Sequence, residues 1–189
     1  SAVAPGVATN GSTSRWNRGS GSEPQPVLNI RRGWGPWTSC PGLGSGHDSP
    51  RSFRICFAAQ ARFDATDFEA YRRAQEAFAE ALAVVLRPTD LVWIHDYHLL
   101  LLPGMIRERC PSANIGFFLH IPFPSFEVLR LMPRQWREAI LRGMLGADLV
   151  GFHTFDYTQY FLKSVGRSLG LETTPNSVVV EDRLVKAET

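Results

Sequence analysis

Three stretches decide how this chain folds: Val92–Pro111, VWIHDYHLLLLPGMIRERCP; Asn114–Pro133, NIGFFLHIPFPSFEVLRLMP; and Ala147–Gly170, ADLVGFHTFDYTQYFLKSVGRSLG. Each contains a short apolar burst that breaks into a polar cluster with a histidine: His95-Asp96-Tyr97-His98, then His120, then His153-Thr154. Short apolar runs of this kind read as buried parallel strands. Open α/β sheets bind ligands just past the carboxyl ends of such strands. Three strand ends in one segment predict an α/β domain that handles a sugar or a nucleotide.

The surrounding pattern supplies the rest of the sheet's layers. Asp64 or Asp67 can cap a helix running to about Leu86, with Phe68, Tyr71, Phe78, Leu82 and Val85 near one face. Arg87-Pro88 ends it, because the residue before proline avoids the α region. Strands are expected at Leu91–Ile94, Ile115–Leu119 and Leu149–Phe152, and helices at Leu99–Cys110, from about Phe126 to Leu145, and Phe155–Leu169. Ser177–Val180 and Leu184–Ala187 alternate across Glu181-Asp182, which predicts a terminal hairpin. Strands alternating with helices at this spacing predict an α/β fold, a parallel sheet flanked by helices. The sequence has no G-x-G-x-x-G and no Walker loop, so it carries no dinucleotide or ATP fingerprint.

Charge is unevenly spread. Residues 1–60 hold six arginines against Glu23 and Asp48, whereas residues 61–189 hold fourteen basic and sixteen acidic side chains. The part with the motifs is slightly acidic and lacks the clustered basic face that a nucleic-acid backbone requires. Cys40, Cys56 and Cys110 are widely spaced, which argues against a disulfide framework and for a reducing, cytoplasmic compartment. The longest aliphatic run, Leu99–Leu102, is far too short to span a membrane.

Two regions follow from composition. In residues 1–60, twenty-four positions are Gly, Pro or Ser and no apolar period persists. That segment is expected to be flexible or non-homologous, and an organelle transit peptide is an alternative reading of its Arg- and Ser-rich character. Residues 61–189 form the expected α/β domain.

Within that domain, Val92–Leu99 (VWIHDYHL), Gly116–Pro124 (GFFLHIPFP) and Asp148–Thr154 (DLVGFHT) resemble the trehalose-6-phosphate synthase family, retaining glycosyltransferases of the two-domain GT-B fold. The resemblance runs from about Phe63 to the end and implies that residues 61–189 are part of the amino-terminal Rossmann-like domain, a parallel sheet flanked by helices, with the second domain missing. Such enzymes transfer glucose from a nucleoside diphosphate, usually UDP-glucose, to glucose 6-phosphate, with no cofactor. Matched by motif, Asp96 is implied to bind glucose 6-phosphate and His120 to face the donor sugar. Tyr97 and His98 would lie beside the acceptor pocket. A homo-oligomer or a trehalose synthase complex would be a further partner. The family's amino-terminal strand with its glycine-rich donor loop has no match in residues 1–60, and Phe68 stands where the family usually has tryptophan. Because a GT-B site lies between two domains, this segment alone is expected to be inactive in transfer. A non-catalytic, sugar-phosphate-binding regulatory homologue and a related GT-B enzyme such as a glucosylglycerol-phosphate synthase remain open as alternatives.

Plainer roles exist for the same residues. His95 and His98 are expected on opposite sides of a strand-like stretch, which argues against a shared metal; His95 reads as a core or supporting histidine. Asp96 can cap the following helix with one oxygen and keep the other for a ligand. His153 reads as structural, and Tyr157, Tyr160 and Phe161 as helix core.

Overall fold

The computed structural model describes residues 63–189 in full, and before them the backbone of one strand, Val27–Ile30. The expectation of flexibility for residues 1–60 otherwise lies outside the described residues. The strand itself, β1, was not among the expected elements. It pairs in parallel with the strand at Leu91–His95, Val27 opposite Leu91 and Ile30 opposite Ile94. Four residues leave no period to read, so only the pairing reveals β1.

Helix α1 spans Ala65–Val85. Asp64 starts it, its carboxylate accepting from the Thr66 amide at 2.7 Å. Hydrogen bonds from Thr66 hold that carboxyl below the usual range. The inward stripe runs Phe68, Tyr71, Gln75, Ala79, Leu82 and then Leu86. Val85, expected on that stripe, is instead exposed, because the four-residue step from Leu82 lands on Leu86.

The remaining elements are β2 (Leu91–His95), a 3-10 turn (Tyr97–Leu99), α2 (Leu102–Arg109), β3 (Asn114–Phe118), α3 (Phe126–Leu129), α4 (Arg134–Met144), β4 (Leu149–Gly151), α5 (Phe155–Leu169), β5 (Ser177–Val180) and β6 (Arg183–Glu188). Two expected helices change. The one placed at Leu99–Cys110 begins only at Leu102, with Pro103 in its first turn, after the separate 3-10 turn. The one placed at about Phe126–Leu145 is two helices, broken where Pro133 adopts an extended conformation.

The six strands lie in the order β1-β2-β3-β4-β6-β5. All neighbours are parallel except β5 and β6, the expected hairpin. Beyond that expectation, β6 enters the parallel sheet beside β4, with Val150 opposite Ala187. One carboxylate paired with two arginines ties this addition down at the opposite end of the sheet from the histidines. Asp148 accepts from Arg107 at 2.7 Å and from the Ile115 amide at 2.8 Å, and pairs with Arg183 at 3.5 Å. Arg183 also donates to the carbonyls of Ala147 and Leu145. Burial lowers the Arg183 pKa, with Arg107 nearby adding to the effect.

Helices α1, α2, α4 and α5 contact one another in succession. Val92, Ile94, Ile115, Phe117 and Val150 are buried in the core, whereas their neighbours Trp93, His95, Phe118 and Leu149 are only half-buried on the other face of the sheet. Strand alternation thus separates a packing face from a face that leads up to the polar strand ends. Among the described residues, no helix is long and apolar enough to cross a membrane.

Candidate functional site

The carboxyl ends of β2, β3 and β4 are adjacent, so residues far apart in sequence meet at one edge. His95 closes β2 opposite Phe118 of β3, and Phe118 lies opposite Gly151 of β4. His120 and His153 follow two residues beyond Phe118 and Gly151, on the same side of the pleat.

Asp96 sits where the chain leaves β2. Its amide donates to the Phe118 carbonyl at 2.8 Å, adding one rung to the sheet, and its φ of 73° and ψ of 167° fall in a region that is almost exclusively glycine's. Oδ1 accepts from the Tyr97 amide at 3.0 Å. Asp96 therefore caps the 3-10 turn rather than the helix expected after it. Among the described residues no donor meets Oδ2, which leaves that oxygen able to accept a hydroxyl.

Tyr97 and His98 lie on that turn with ring centroids 3.9 Å apart. Burial raises the Tyr97 pKa, and the Asp96 carboxylate raises it further, so the phenol stays protonated and can donate. Two side chains of α1 hold the turn from behind. The hydroxyl of half-buried Tyr71 donates to the Tyr97 carbonyl at 2.7 Å and accepts from the Leu100 amide at 3.1 Å. Gln75, 1% exposed, accepts from the amides of Leu101 and Leu102 at 2.7 and 3.0 Å. It thereby satisfies amides at the start of α2, where Leu101 offers no side-chain cap. Sequence reading missed Gln75; the one available signal was a polar residue on the apolar stripe of α1. A cavity of about 330 Å³ lies against this support, lined by Tyr71, Gln75, Phe78, Tyr97, His98 and Leu99. Asp96 and His120 are not among its lining residues.

His120 is exposed just past β3, and its Nε2 lies 2.9 Å from Nδ1 of His95. Its ring is also 4.9 Å from Phe118 and 5.6 Å from His153, and Phe118 meets His153 edge-on at 5.0 Å. His153, read as structural, thus belongs to the same aromatic cluster as His120. Among the described residues no group of three His, Cys, Asp or Glu side chains converges on a point that could hold a metal ion. The edge therefore offers a carboxylate, a protonated phenol and imidazoles, a set suited to binding several hydroxyls.

The profile of glycosyltransferase family 20 matches residues 53–189. The chain belongs to this family. Family 20 relatives share its sequence closely: an α,α-trehalose-phosphate synthase (UDP-forming) of Dictyostelium discoideum is 50% identical over 124 residues, which cover 66% of this chain and 17% of that enzyme. Among solved structures, the N-terminal domain of a Candida albicans trehalose-6-phosphate phosphatase matches with a TM-score of 0.65 and 39% identity, over 70% of this chain and 29% of that one. A UDP-forming synthase from Burkholderia xenovorans in complex with glucose-6-phosphate matches at 0.61 and 30%, over 69% and 29%. The chain spans less than a third of the length of these relatives. Its α/β architecture is the Rossmann-like one of this GT-B family.

Proposed function

We propose that this chain supplies the acceptor side of an α,α-trehalose-phosphate synthase (UDP-forming), which transfers glucose from UDP-glucose to glucose 6-phosphate. The observation that carries the reading is Asp96. Its carboxylate is held at the end of β2 by a backbone conformation that residues other than glycine avoid, with one oxygen bonded to Tyr97 and the other without a donor among the described residues. In this reading Asp96 accepts hydroxyls of glucose 6-phosphate and orients its anomeric oxygen, with Tyr97 and His98 alongside. His120 bonds a hydroxyl of the donor sugar. The bond from the donor's anomeric carbon to the diphosphate oxygen breaks, and the acceptor's anomeric oxygen forms the new bond on the same face. Its proton leaves with the UDP. Orientation of two bound sugars is the main contribution this part makes to the rate, and the diphosphate charge is met outside it. The reading places the protein in the cytoplasm, as its scattered cysteines suggest, within a homo-oligomer or a trehalose synthase complex.

The likeness to the amino-terminal domain of a protein named as a phosphatase favours one second reading: a sugar-phosphate-binding domain without transfer activity. One experiment addresses both. In the full-length protein, Asp96→Asn should weaken glucose 6-phosphate use by roughly one to two decades, the effect of losing a charged hydrogen bond. His120→Ala should instead weaken UDP-glucose use, leaving UDP binding largely intact. Equal damage to one substrate by both changes would refute the assignments. Glucose 6-phosphate binding with no UDP release would favour the non-catalytic reading.

A further inference from the structure

His95 lies one layer behind the edge, half-buried, with Trp93 edge-on to it at 6.0 Å. Its contact with His120 is a hydrogen bond in the ring plane. The nitrogens are 2.9 Å apart, the centroids 5.1 Å apart and the planes only 21° from parallel. Two rings stacked face to face would bring their centroids much closer than that; two nearly coplanar rings meeting nitrogen to nitrogen give this separation. In such a bond one nitrogen carries the proton and the other offers its lone pair, so the tautomers of both rings are linked. With Nε2 of His120 engaged inward and no partner for Nδ1 among the described residues, Nδ1 is the nitrogen left for a ligand. Phe118 packs on the same ring and limits its rotation.

We propose that His95 is a positioning residue for His120. It holds the ring plane and a single tautomer, so that Nδ1 alone meets a hydroxyl of the donor sugar. The proposal rests on the reading of His120 as a sugar contact. It differs from a packing role for His95 in one respect: only a side chain with a hydrogen-bonding atom at the Nδ1 position can replace it.

The test has two arms. Long-range proton–nitrogen correlation spectra of the ¹⁵N-labelled 189-residue chain report the tautomer of His120 directly. The wild type should show one tautomer with distinct Nδ1 and Nε2 shifts. His95→Phe should average them, and His95→Asn, whose amide can reach the Nδ1 position, should restore them. In the full-length protein, kcat/KM for UDP-glucose should fall about tenfold in His95→Phe, the effect of one lost hydrogen bond. It should recover in His95→Asn, with the constants for glucose 6-phosphate little changed throughout. His120 shifts unchanged by His95→Phe, or equal impairment by Phe and Asn, would overturn the proposal. Failure of the transferase reading is distinguishable, because it appears as absent wild-type turnover, whereas failure of the pairing appears in the spectra of the chain itself.

Discussion

The amide of Asp96 reaches the carbonyl of Phe118 at 2.8 Å, one rung beyond the end of β2, while Asp96 itself stands at φ 73°. The sheet bond and the turn after it hold Asp96 in a conformation that strains any residue with a Cβ by about 1–3 kcal/mol. Glycine would relieve this strain and alanine would not, though both remove the carboxylate. Asp96→Gly should therefore be more stable than Asp96→Ala by about 1 kcal/mol or more in urea unfolding. In regular strands and helices the order is the reverse. Both variants should lose glucose 6-phosphate binding alike. An alanine variant as stable as the glycine one would remove the case for strain.

Tyr71 couples α1 to the same turn. In Tyr71→Phe the Tyr97 carbonyl and the Leu100 amide both lose their partner, at a cost of about 1–3 kcal/mol. The pH dependence has a definite sign. Burial pushes the Tyr71 phenol well above its ordinary value of 10.0. Above that pH the unfolded chain has released the proton and the folded chain still binds it, so stability falls as pH rises. The stabilisation is fully present below pH 10.0 and is lost towards the higher folded-state value. Denaturant titrations across the alkaline range should show a shallower decline in Tyr71→Phe than in the wild type.

Gln75→Leu has nearly the right volume and the wrong chemistry. Two buried amides, of Leu101 and Leu102, would be stranded at the start of α2. A loss of at least about 2 kcal/mol is expected, seen as a Tm several degrees lower. Gln75→Glu, which keeps the accepting oxygen, should cost less if it is protonated, so its deficit relative to wild type should shrink as pH falls.

Gly151 tests the wall behind the histidines. A Cβ there would lie 2.5 Å from Cδ2 of Phe118, the ring that touches both His120 and His153. Gly151→Ala should destabilise by about 1–3 kcal/mol, as overpacking does. It should also shift the imidazole resonances of His120 and His153 together. A neutral melting temperature with unchanged resonances would show that Phe118 yields freely.

How much of this was legible in the chain follows from the range of the forces involved. The bounds of α5 match expectation at both ends because its signals are local: Thr154 accepts from the Tyr157 amide, and Gly170 takes the left-handed conformation that closes the helix. The apolar bursts likewise specified β2, β3 and β4 to within a residue, and with them the strand ends that carry Asp96 and His120. Other features depend on atoms far away in sequence. Val27–Ile30 became a strand by pairing with β2, and β6 joined the parallel sheet through β4. Gln75 serves amides 26 and 27 residues away, and His95 meets His120 across 25. Periodicity, caps and turn residues are written in neighbouring side chains, so the sequence by itself determined β2 to β4, α5 and the polar ends of those strands. Hydrogen bonds between elements form only once burial has excluded water and left each polar group to find a protein partner. Tertiary structure alone therefore decided the conformation of Asp96, the partner of His120 and the support beneath both.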